Sequence, residues 1–293
     1  MPKCNICPRN CNVDRKFQKG ACKCGEQILV NTYQLHYWEE PPISAKHGSG
    51  TIFFAGCNMN CVYCQNYIIS QQIEGEPVSI SQLVKIFFEL QEKGAHNINL
   101  VTPTHFSLQL KEALSIAKKD KLKIPVVWNS NAFEKVETLK LLEGLVDIYL
   151  PDFRYFDNSV ALKYSNAPQY PEFAKLAIKE MFRQVGYLQE NRGIAVKGIL
   201  IRILVLPGDI GNAKEILKWI ASNIGTESYI SLMGQYYPTY RAKEFPELSR
   251  HLLEYQDIAD FAEKLGFCNG FFQEVGSSSE YTPNFKANEK IND

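Results

Sequence analysis

Short apolar runs alternate with amphipathic stretches along most of the chain after residue 50. Runs of this length, nearly uninterrupted by polar residues, are typical of parallel strands buried on both faces. Six such runs predict six strands: TIFFAG (51–56), INLVTP (98–103), PVVWNS (125–130), VDIYLP (146–151), ILIRILVLPG (199–208) and YISLMGQ (229–235).

The stretches between and after these runs carry apolar residues at helical spacing. The first begins at Ser79, a residue type preferred at helix N-caps, and places Leu83, Ile86, Phe87 and Leu90 on one face. The six predicted helices span 79–93, 106–119, 132–144, 172–190, 211–223 and 247–266. Six strand–helix units predict an α/β fold, a partial (β/α)6 TIM-like barrel; a doubly wound sheet is the alternative.

The first 48 residues have a different texture. They show little apolar periodicity, are rich in Cys, Asn, Lys and Pro, and end in EEPPISAKHGSG, whose turn residues are typical of a linker. We therefore predict three parts: a Cys-rich N-terminal segment at 1–48, the barrel at 49–275, and a polar C-terminal tail at 276–293.

The charge balance narrows the range of partners. Lys plus Arg and Asp plus Glu number 32 each, so nothing in the overall charge indicates a nucleic acid or a membrane surface as partner. The N-terminus has no apolar signal core, and no run approaches the roughly 18 apolar residues of a membrane span. We expect a cytoplasmic protein.

Nine cysteines are therefore expected to be metal ligands or free thiols rather than disulfides. Five lie within residues 4–24 and three within residues 57–64. The remaining one, Cys268, is expected to be a small buried residue.

The cysteines of GCNMNCVYC directly follow the first predicted strand, where barrel enzymes carry their catalytic groups. A structural zinc site uses four ligands, and iron–sulfur cubanes usually take four thiolates as well. Three thiols leave one metal position open for a substrate, which is the arrangement of a catalytic site. The alternative is a zinc site completed by a distant His or Cys.

This spacing, Cys57-x3-Cys61-x2-Cys64 with the aromatic Tyr63 before the last cysteine, resembles the signature of radical S-adenosylmethionine enzymes. The resemblance implies a [4Fe-4S] cluster on the three thiolates, with S-adenosylmethionine on the fourth iron. It further implies one-electron cleavage to methionine and a 5′-deoxyadenosyl radical, which abstracts hydrogen from a substrate. An electron donor such as ferredoxin or flavodoxin would supply the electron.

Three further stretches resemble pyruvate formate-lyase activating enzymes: NSNAF (129–133), DIYLPDFRYFD (147–157) and IRILVLPG (201–208). The resemblance implies that the cosubstrate lies near Tyr63, Asn129, Asn131, Asp152 and Arg202. It also implies an activase-like oxidoreductase whose target is a glycine of a partner enzyme, with a peptide or a small molecule as alternatives. A non-catalytic iron–sulfur or zinc protein for electron transfer or assembly is the other hypothesis.

Two departures from that pattern change the expected site. The Gly-Gly-Glu that often binds the amino group of the cosubstrate is replaced by VTPTH, so Thr102 and Thr104 are the candidate acceptors. The Asp that opens the third-strand segment as part of a cation site is Asn129 here, and we predict no cation site because a neutral amide is a weaker ligand.

The N-terminal cysteines form a second constellation. Cys4, Cys7, Cys11 and Cys22 are the candidate ligands, with Cys24 a spare. Zinc, an auxiliary iron–sulfur cluster, or reduced thiols without metal all remain open, because ligand geometry rather than spacing selects the metal.

Two other side chains carry expectations. His105 follows the second predicted strand and is a general base or, at least as readily, a hydrogen-bonded structural residue. Arg202 lies within an apolar strand, and because an unpaired buried charge is costly we expect it to enter the barrel lumen and meet a carboxylate.

Overall fold

A computed structural model describes residues 3–250 and 252–272 of the chain. Its strands join in one open sheet in the order β10-β9-β8-β6-β5-β4-β2-β1-β3, with β7 paired to β8. The strands are β1 (Ile28–His36), β2 (Ser49–Phe54), β3 (Glu76–Val78), β4 (Ile98–Val101), β5 (Val126–Ser130), β6 (Ile148–Pro151), β7 (Gln189–Asn191), β8 (Ile194–Leu204), β9 (Tyr229–Met233) and β10 (Gly270–Phe272).

The six predicted strands are confirmed as β2, β4, β5, β6, β8 and β9, which pair in parallel in that order. Both faces of these strands are covered, which explains their near-continuous apolar sequence. The α/β fold with a mostly parallel sheet is therefore the one predicted, and the doubly wound alternative is dropped.

The helices pack around the sheet. They are α1 (Pro41–Ser44), α2 (Tyr67–Ser70), α3 (Ile80–Glu92), α4 (Ser107–Lys119), α5 (Val136–Lys140), α6 (Asn158–Ser165), α7 (Tyr170–Val185), α8 (Ala213–Asn223) and α9 (Tyr255–Lys264). Ser79 caps α3 as predicted, in a capping box with Gln82.

Three predicted helices are shorter than their apolar periodicity suggested. The helix predicted at 132–144 is reduced to α5, and the one predicted at 247–266 to a 3-10 turn at Pro246–Ser249 followed by α9. The prediction of 172–190 as one helix is also wrong at its end. Gly186 has φ +72° and stops α7, and the chain then turns into β7.

Residues 28–36 form a strand that the sequence analysis did not predict. β1 runs antiparallel to β2 and places His36 opposite Ser49, at the amino end of β2. The following residues turn under the barrel, where Ile43 of α1 packs fully buried in an apolar cluster with Val127 and Leu150. The stretch interpreted as a linker therefore plugs the lower end of the barrel.

The Cys-rich segment packs against the opposite end of β2. Gly56 has φ +86°, and a Cβ on it would overlap the Cys24 sulfur, so the close approach requires glycine. Arg15 binds the backbone carbonyl oxygen of His105, which ties the segment to the end of β4. Cys268, expected to be buried, is exposed instead.

No helix among the described residues is long and apolar enough to cross a membrane.

Candidate active site

The loop after β2 brings three thiols to one cavity at the carboxyl ends of the strands. Cys57, Cys61 and Cys64 all line this cavity. The end of α6 holds the loop in place, because Asn60 N and Val62 N donate to the carbonyl oxygens of Ser165 (3.0 Å) and Tyr164 (2.9 Å). We call these three cysteines the thiol end of the cavity.

Each sulfur of the thiol end has a polar neighbour. The Cys57 sulfur accepts from Met59 N at 3.3 Å and from Asn131 Nδ2 at 3.4 Å. The Cys61 sulfur accepts from Ser165 Oγ at 2.9 Å. Cys64 Sγ lies 3.2 Å from Ser70 Oγ. Donors aimed at sulfur stabilise thiolates, the form in which cysteine binds metal.

Burial opposes that charge as long as the thiols stand alone. It raises the pKa of Cys57 to about 12 and that of Cys64 to about 11. A metal cation at the thiol end would reverse this preference, since coordinated thiols are deprotonated. The donor set therefore fits a soft, positively charged metal group.

The arrangement and number of the thiols bear on the kind of metal group that they could hold. Within residues 3–250 and 252–272, no three His, Cys, Asp or Glu side chains converge as the ligands of one metal ion. A cluster needs no such convergence, because each thiolate binds a different iron. No fourth cysteine is among the residues that line the cavity, so a four-iron cluster held by these thiols would have one iron without a thiolate from the lining.

The lower part of the cavity is built from carboxylates and guanidinium groups. Arg202 enters the lumen as predicted and donates from Nε to Asp152 Oδ1 at 2.7 Å and from Nη1 to Glu39 Oε2 at 3.0 Å. Its Nη2 donates to Asn129 Oδ1 at 2.5 Å. All three nitrogens of this guanidinium are thus bound by the protein.

Glu39 and Glu40 were missed in the sequence analysis because they lie in the stretch interpreted as a linker. Glu39 Oε1 also accepts from Asn99 Nδ2 at 3.0 Å and Asn129 Nδ2 at 3.1 Å, so its carboxylate bridges several strands. The signal available in the sequence was Arg202. It is a buried charge whose guanidinium needs more carboxylate partners than Asp152 alone provides. We call Glu39, Glu40 and Arg202 the carboxylate end of the cavity.

Glu40 is the member of the carboxylate end whose charge has no separate cation to match it among the described residues. Glu39 and Asp152 already match the charges of Arg202 and Arg154, while Glu40 Oε2 is buried without a hydrogen-bond partner. Burial raises the pKa of Glu40, the neighbouring Glu39 raises it further, and Arg202 acts against both. The direction favours a neutral carboxylic acid.

Arg154 is a third residue that was not among the predicted site residues. It lines the cavity between the two ends and binds Asp152 Oδ2 through Nη2. Its Nε is buried and has no hydrogen-bond partner. A guanidinium nitrogen without a partner near the thiols is suited to a carboxylate ligand.

Six predicted cofactor contacts line this one cavity: Tyr63, Thr102, Asn129, Asn131, Asp152 and Arg202. Thr104 does not belong to that lining. Its buried hydroxyl donates to Glu134 Oε1 at 3.1 Å, a carboxylate that also accepts from Trp128 Nε1 at 2.9 Å. The structure therefore turns Thr104 away from the candidate cosubstrate site.

His105 takes the structural role. It is buried, its Nε2 lies 2.9 Å from the carbonyl oxygen of Ala55, and burial lowers its pKa to about 3. A neutral imidazole fixed at the end of β2 supports the loop that carries the triad.

The N-terminal cysteines lie outside the cavity but close to the thiol end. Cys4, Cys11 and Cys22 are all near enough to Cys7 to raise its pKa, although burial is the larger cause. Cys24, the predicted spare, points its thiol at the carbonyl oxygen of Ala55 (3.4 Å). Arg9 links the two regions. Its Nε donates to the carbonyl oxygen of Asn58 at 2.6 Å, and its guanidinium charge lies close enough to interact electrostatically with Cys7, Cys11, Cys57 and Cys61.

Comparison with known proteins decides the family. The model of the Radical SAM superfamily matches residues 51–220, more than half of the chain. The chain belongs to the radical SAM superfamily. Membership implies a [4Fe-4S] cluster and S-adenosylmethionine, and the residues of the thiol end fit both.

Two archaeal proteins, both named as uncharacterized, resemble this radical SAM protein over most of its length. Protein MJ0674 of Methanocaldococcus jannaschii is 33% identical over 276 residues, covering 89% of this chain and 74% of its own. Protein MJ0808 of the same organism is 22% identical over 272 residues, covering 86% and 75%.

Solved structures that resemble it are more distant. Methylornithine synthase superposes with a TM-score of 0.49 at 16% identity, over 72% of this chain and 59% of that one. Streptococcus suis SuiB bound to S-adenosylmethionine gives 0.49 at 13% identity, over 71% and 44%. The chain thus spans about half the length of these proteins.

Proposed function

We propose that this protein cleaves S-adenosylmethionine reductively and uses the resulting 5′-deoxyadenosyl radical to abstract hydrogen from a substrate. The observation that carries the proposal is the thiol end, where three sulfurs with polar neighbours, and no fourth thiol, open onto one cavity. A [4Fe-4S] cluster bound there supplies the single electron that cleavage of a sulfonium requires.

The protein's own side chains divide the remaining work. Arg154 has a free Nε beside the thiols and is the proposed partner of the carboxylate of S-adenosylmethionine. Asn131 holds Cys57 and also bonds Asn58 Oδ1 at 2.9 Å, which fixes the start of the loop. Tyr63 and Thr102 line the wall between these groups, where the cosubstrate contacts are proposed.

Arg202 is proposed to position other residues rather than to bind S-adenosylmethionine directly. All its nitrogens are bound to Asp152, Glu39 and Asn129, so it holds the floor of the cavity and positions Asp152 for Arg154. The amide oxygen of Asn129 is part of this floor, because it accepts from Arg202 Nη2.

The finer assignment is an activase-like oxidoreductase that acts on a glycine of a partner protein, with a ferredoxin or flavodoxin as electron donor. Its support is the resemblance of the segments that carry Asn129, Asp152 and Arg202 to the activating enzymes. A peptide or a small molecule remains the alternative substrate. The non-catalytic alternative is disfavoured, since an electron-transfer cluster would be closed by a fourth thiolate.

Zinc or a second iron–sulfur cluster at Cys4, Cys7, Cys11 and Cys22 stays a prediction. Its support is the grouping of these cysteines about Cys7. Against zinc in particular, these side chains do not converge as ligands of one metal ion in the part of the chain that the structure describes.

The deciding experiment uses protein purified without oxygen and reconstituted with iron and sulfide. Iron and zinc are counted per chain, dithionite and S-adenosylmethionine are added, and 5′-deoxyadenosine is measured. Cluster-bound iron together with 5′-deoxyadenosine is the expected result. A protein that holds only zinc and leaves S-adenosylmethionine intact would contradict the proposal.

A further inference from the structure

A chain of buried hydroxyl groups leads from the wall of the cavity to one of the three sulfurs. The Tyr63 hydroxyl is hydrogen-bonded to that of Tyr155, and Tyr155 Oη lies 2.7 Å from Ser165 Oγ. Ser165 Oγ in turn donates to Cys61 Sγ at 2.9 Å. Tyr155 and Ser165 are fully buried, and 3% of Tyr63 is exposed.

The direction of the chain follows from its last member. A thiolate bound to iron can only accept, so the Ser165 proton points at Cys61. The Ser165 oxygen then accepts from Tyr155, whose oxygen accepts from Tyr63. All three protons therefore point toward the sulfur, with the cationic Arg154 beside the Tyr63 hydroxyl at the far end.

Such an arrangement strengthens its final bond. Hydrogen bonds in a row polarise one another, and they are stronger in a buried, low-dielectric setting than in water. The geometry is also held firmly, since the carbonyl oxygens of Tyr164 and Ser165 accept from Val62 N and Asn60 N on either side of Cys61. The other two sulfurs have shorter networks: Cys57 accepts from Met59 N and Asn131 Nδ2, and Ser70 Oγ beside Cys64 accepts from Gln71 Nε2 at 3.4 Å. Among the described residues, the row of three hydroxyl groups is found at Cys61.

We propose that Tyr63, Tyr155 and Ser165 are positioning residues that set the reduction potential of the cluster by donating a polarised hydrogen bond to Cys61. The inference rests on the proposed function, because it requires the cluster to be present. Gaining one electron adds negative charge that is shared with the sulfurs. A donor at Cys61 therefore stabilises the reduced cluster more than the oxidised one and raises its potential.

The test is a one-electron redox titration of reconstituted protein, followed by the electron paramagnetic resonance of the reduced cluster. Ser165→Ala removes the donor and should lower the ratio of reduced to oxidised clusters about tenfold at a fixed ambient potential, which is a shift of about 59 mV toward negative values. Tyr155→Phe keeps Ser165 and should shift the potential in the same direction by less. Tyr63→Phe breaks the most remote link and should shift it least.

Tyr164→Phe is the matched control, since its hydroxyl binds Glu247 at the surface and lies outside the chain. Iron is counted in every variant, so that potentials are compared only between loaded proteins. Unchanged potentials in both Ser165→Ala and Tyr155→Phe would overturn the proposal, as would an equal shift in Tyr164→Phe. A wild-type protein that assembles no cluster would overturn the proposed function and this inference together, and the iron count distinguishes that case.

Discussion

The buried polar groups at the two ends of the cavity differ in whether the protein itself supplies their partners. At the thiol end, burial favours the neutral thiols of Cys57 and Cys64, although the charge of Arg154 acts in the opposite direction. At the carboxylate end, Arg202 and Glu39 satisfy each other and two asparagines besides. One end is prepared for a ligand, and the other supplies its own partners.

This difference means that the thiol end chiefly serves ligand binding, while the carboxylate end chiefly stabilises the fold. Groups whose partners are absent from the protein contribute little to folding until the ligand arrives. Groups that are buried and mutually paired make the fold depend on each of them, because removing one leaves the other charged and alone. Variants at the two ends should therefore fail in different ways.

The largest effect is expected from Cys61→Ala at the thiol end. The variant should lose the cluster and all formation of 5′-deoxyadenosine while the metal-free protein keeps its stability. Iron and zinc analysis, the 5′-deoxyadenosine assay and urea unfolding of the metal-free protein measure these outcomes.

Cys268→Ala is the matched control for that variant, because Cys268 is exposed and far from the cavity in sequence. It should retain full iron content. Metal that persists in Cys61→Ala would belong to the N-terminal cysteines. Undiminished cleavage of S-adenosylmethionine in Cys61→Ala would rule out the assigned cluster ligands.

The next largest effect is expected from Glu39→Ala at the carboxylate end. The change leaves Arg202, Asn99 and Asn129 without their shared acceptor, so the free energy of unfolding should fall by about 3 kcal/mol. Urea denaturation measures it, with Glu112→Ala on the exposed face of α4 as control. Equal stability of the two variants would show that the carboxylate end does not support the fold.

The same contrast shows how far the sequence could predict this molecule. The thiol end was predictable because its residues are contiguous and their spacing is set by a cofactor. The parallel strands were predictable because burial on both faces leaves an apolar run. Glu39 was not, because its role depends on a long-range fold in which residues 37–48 turn under the barrel.

Other failures have physical causes of the same kind. Thr104 stands where the sequence analysis expected a contact with the cosubstrate, yet its hydroxyl donates to Glu134 instead. Glu134 lies 30 residues away in sequence, and no local pattern indicates this hydrogen bond. Arg154 was not predicted as a site residue, because its Nε without a hydrogen-bond partner is visible only in three dimensions. The Ser165–Cys61 bond joins residues 104 positions apart.

A third prediction separates the two buried arginines. Arg154→Met removes the unpartnered guanidinium edge and should weaken binding of S-adenosylmethionine by about tenfold to a hundredfold, as expected for a hydrogen bond to a charged group. Arg202→Met should act chiefly on stability, since its nitrogens are already bound by the protein.

Isothermal titration calorimetry on the reconstituted protein measures that affinity. Arg183→Met, which removes an arginine of α7 that is half exposed, provides the control. An Arg154→Met variant that binds S-adenosylmethionine as tightly as the wild type would remove Arg154 from the proposed carboxylate site.

The smallest effect concerns the pH dependence of stability at Glu40. Burial raises the pKa of this acid in the folded state above its ordinary value of 4.5, with Glu39 adding to the rise and Arg202 opposing it. Between pH 4.5 and the raised pKa of the folded state, the unfolded chain has released this proton while the folded protein still holds it. Stability contributed by Glu40 therefore falls as pH rises toward the folded pKa, by at most about 1.4 kcal/mol per pH unit.

Glu40→Gln keeps the shape of the side chain but cannot ionise, so its stability relative to the wild type should increase with pH through that window. Urea unfolding of both proteins at a series of pH values measures the difference. His105 contributes the opposite slope, because its pKa is lowered to about 3, but it is present in both proteins and cancels. Parallel pH profiles would mean that Glu40 is ionised in the folded protein, and the carboxylate end would then carry a net negative charge beneath the thiols.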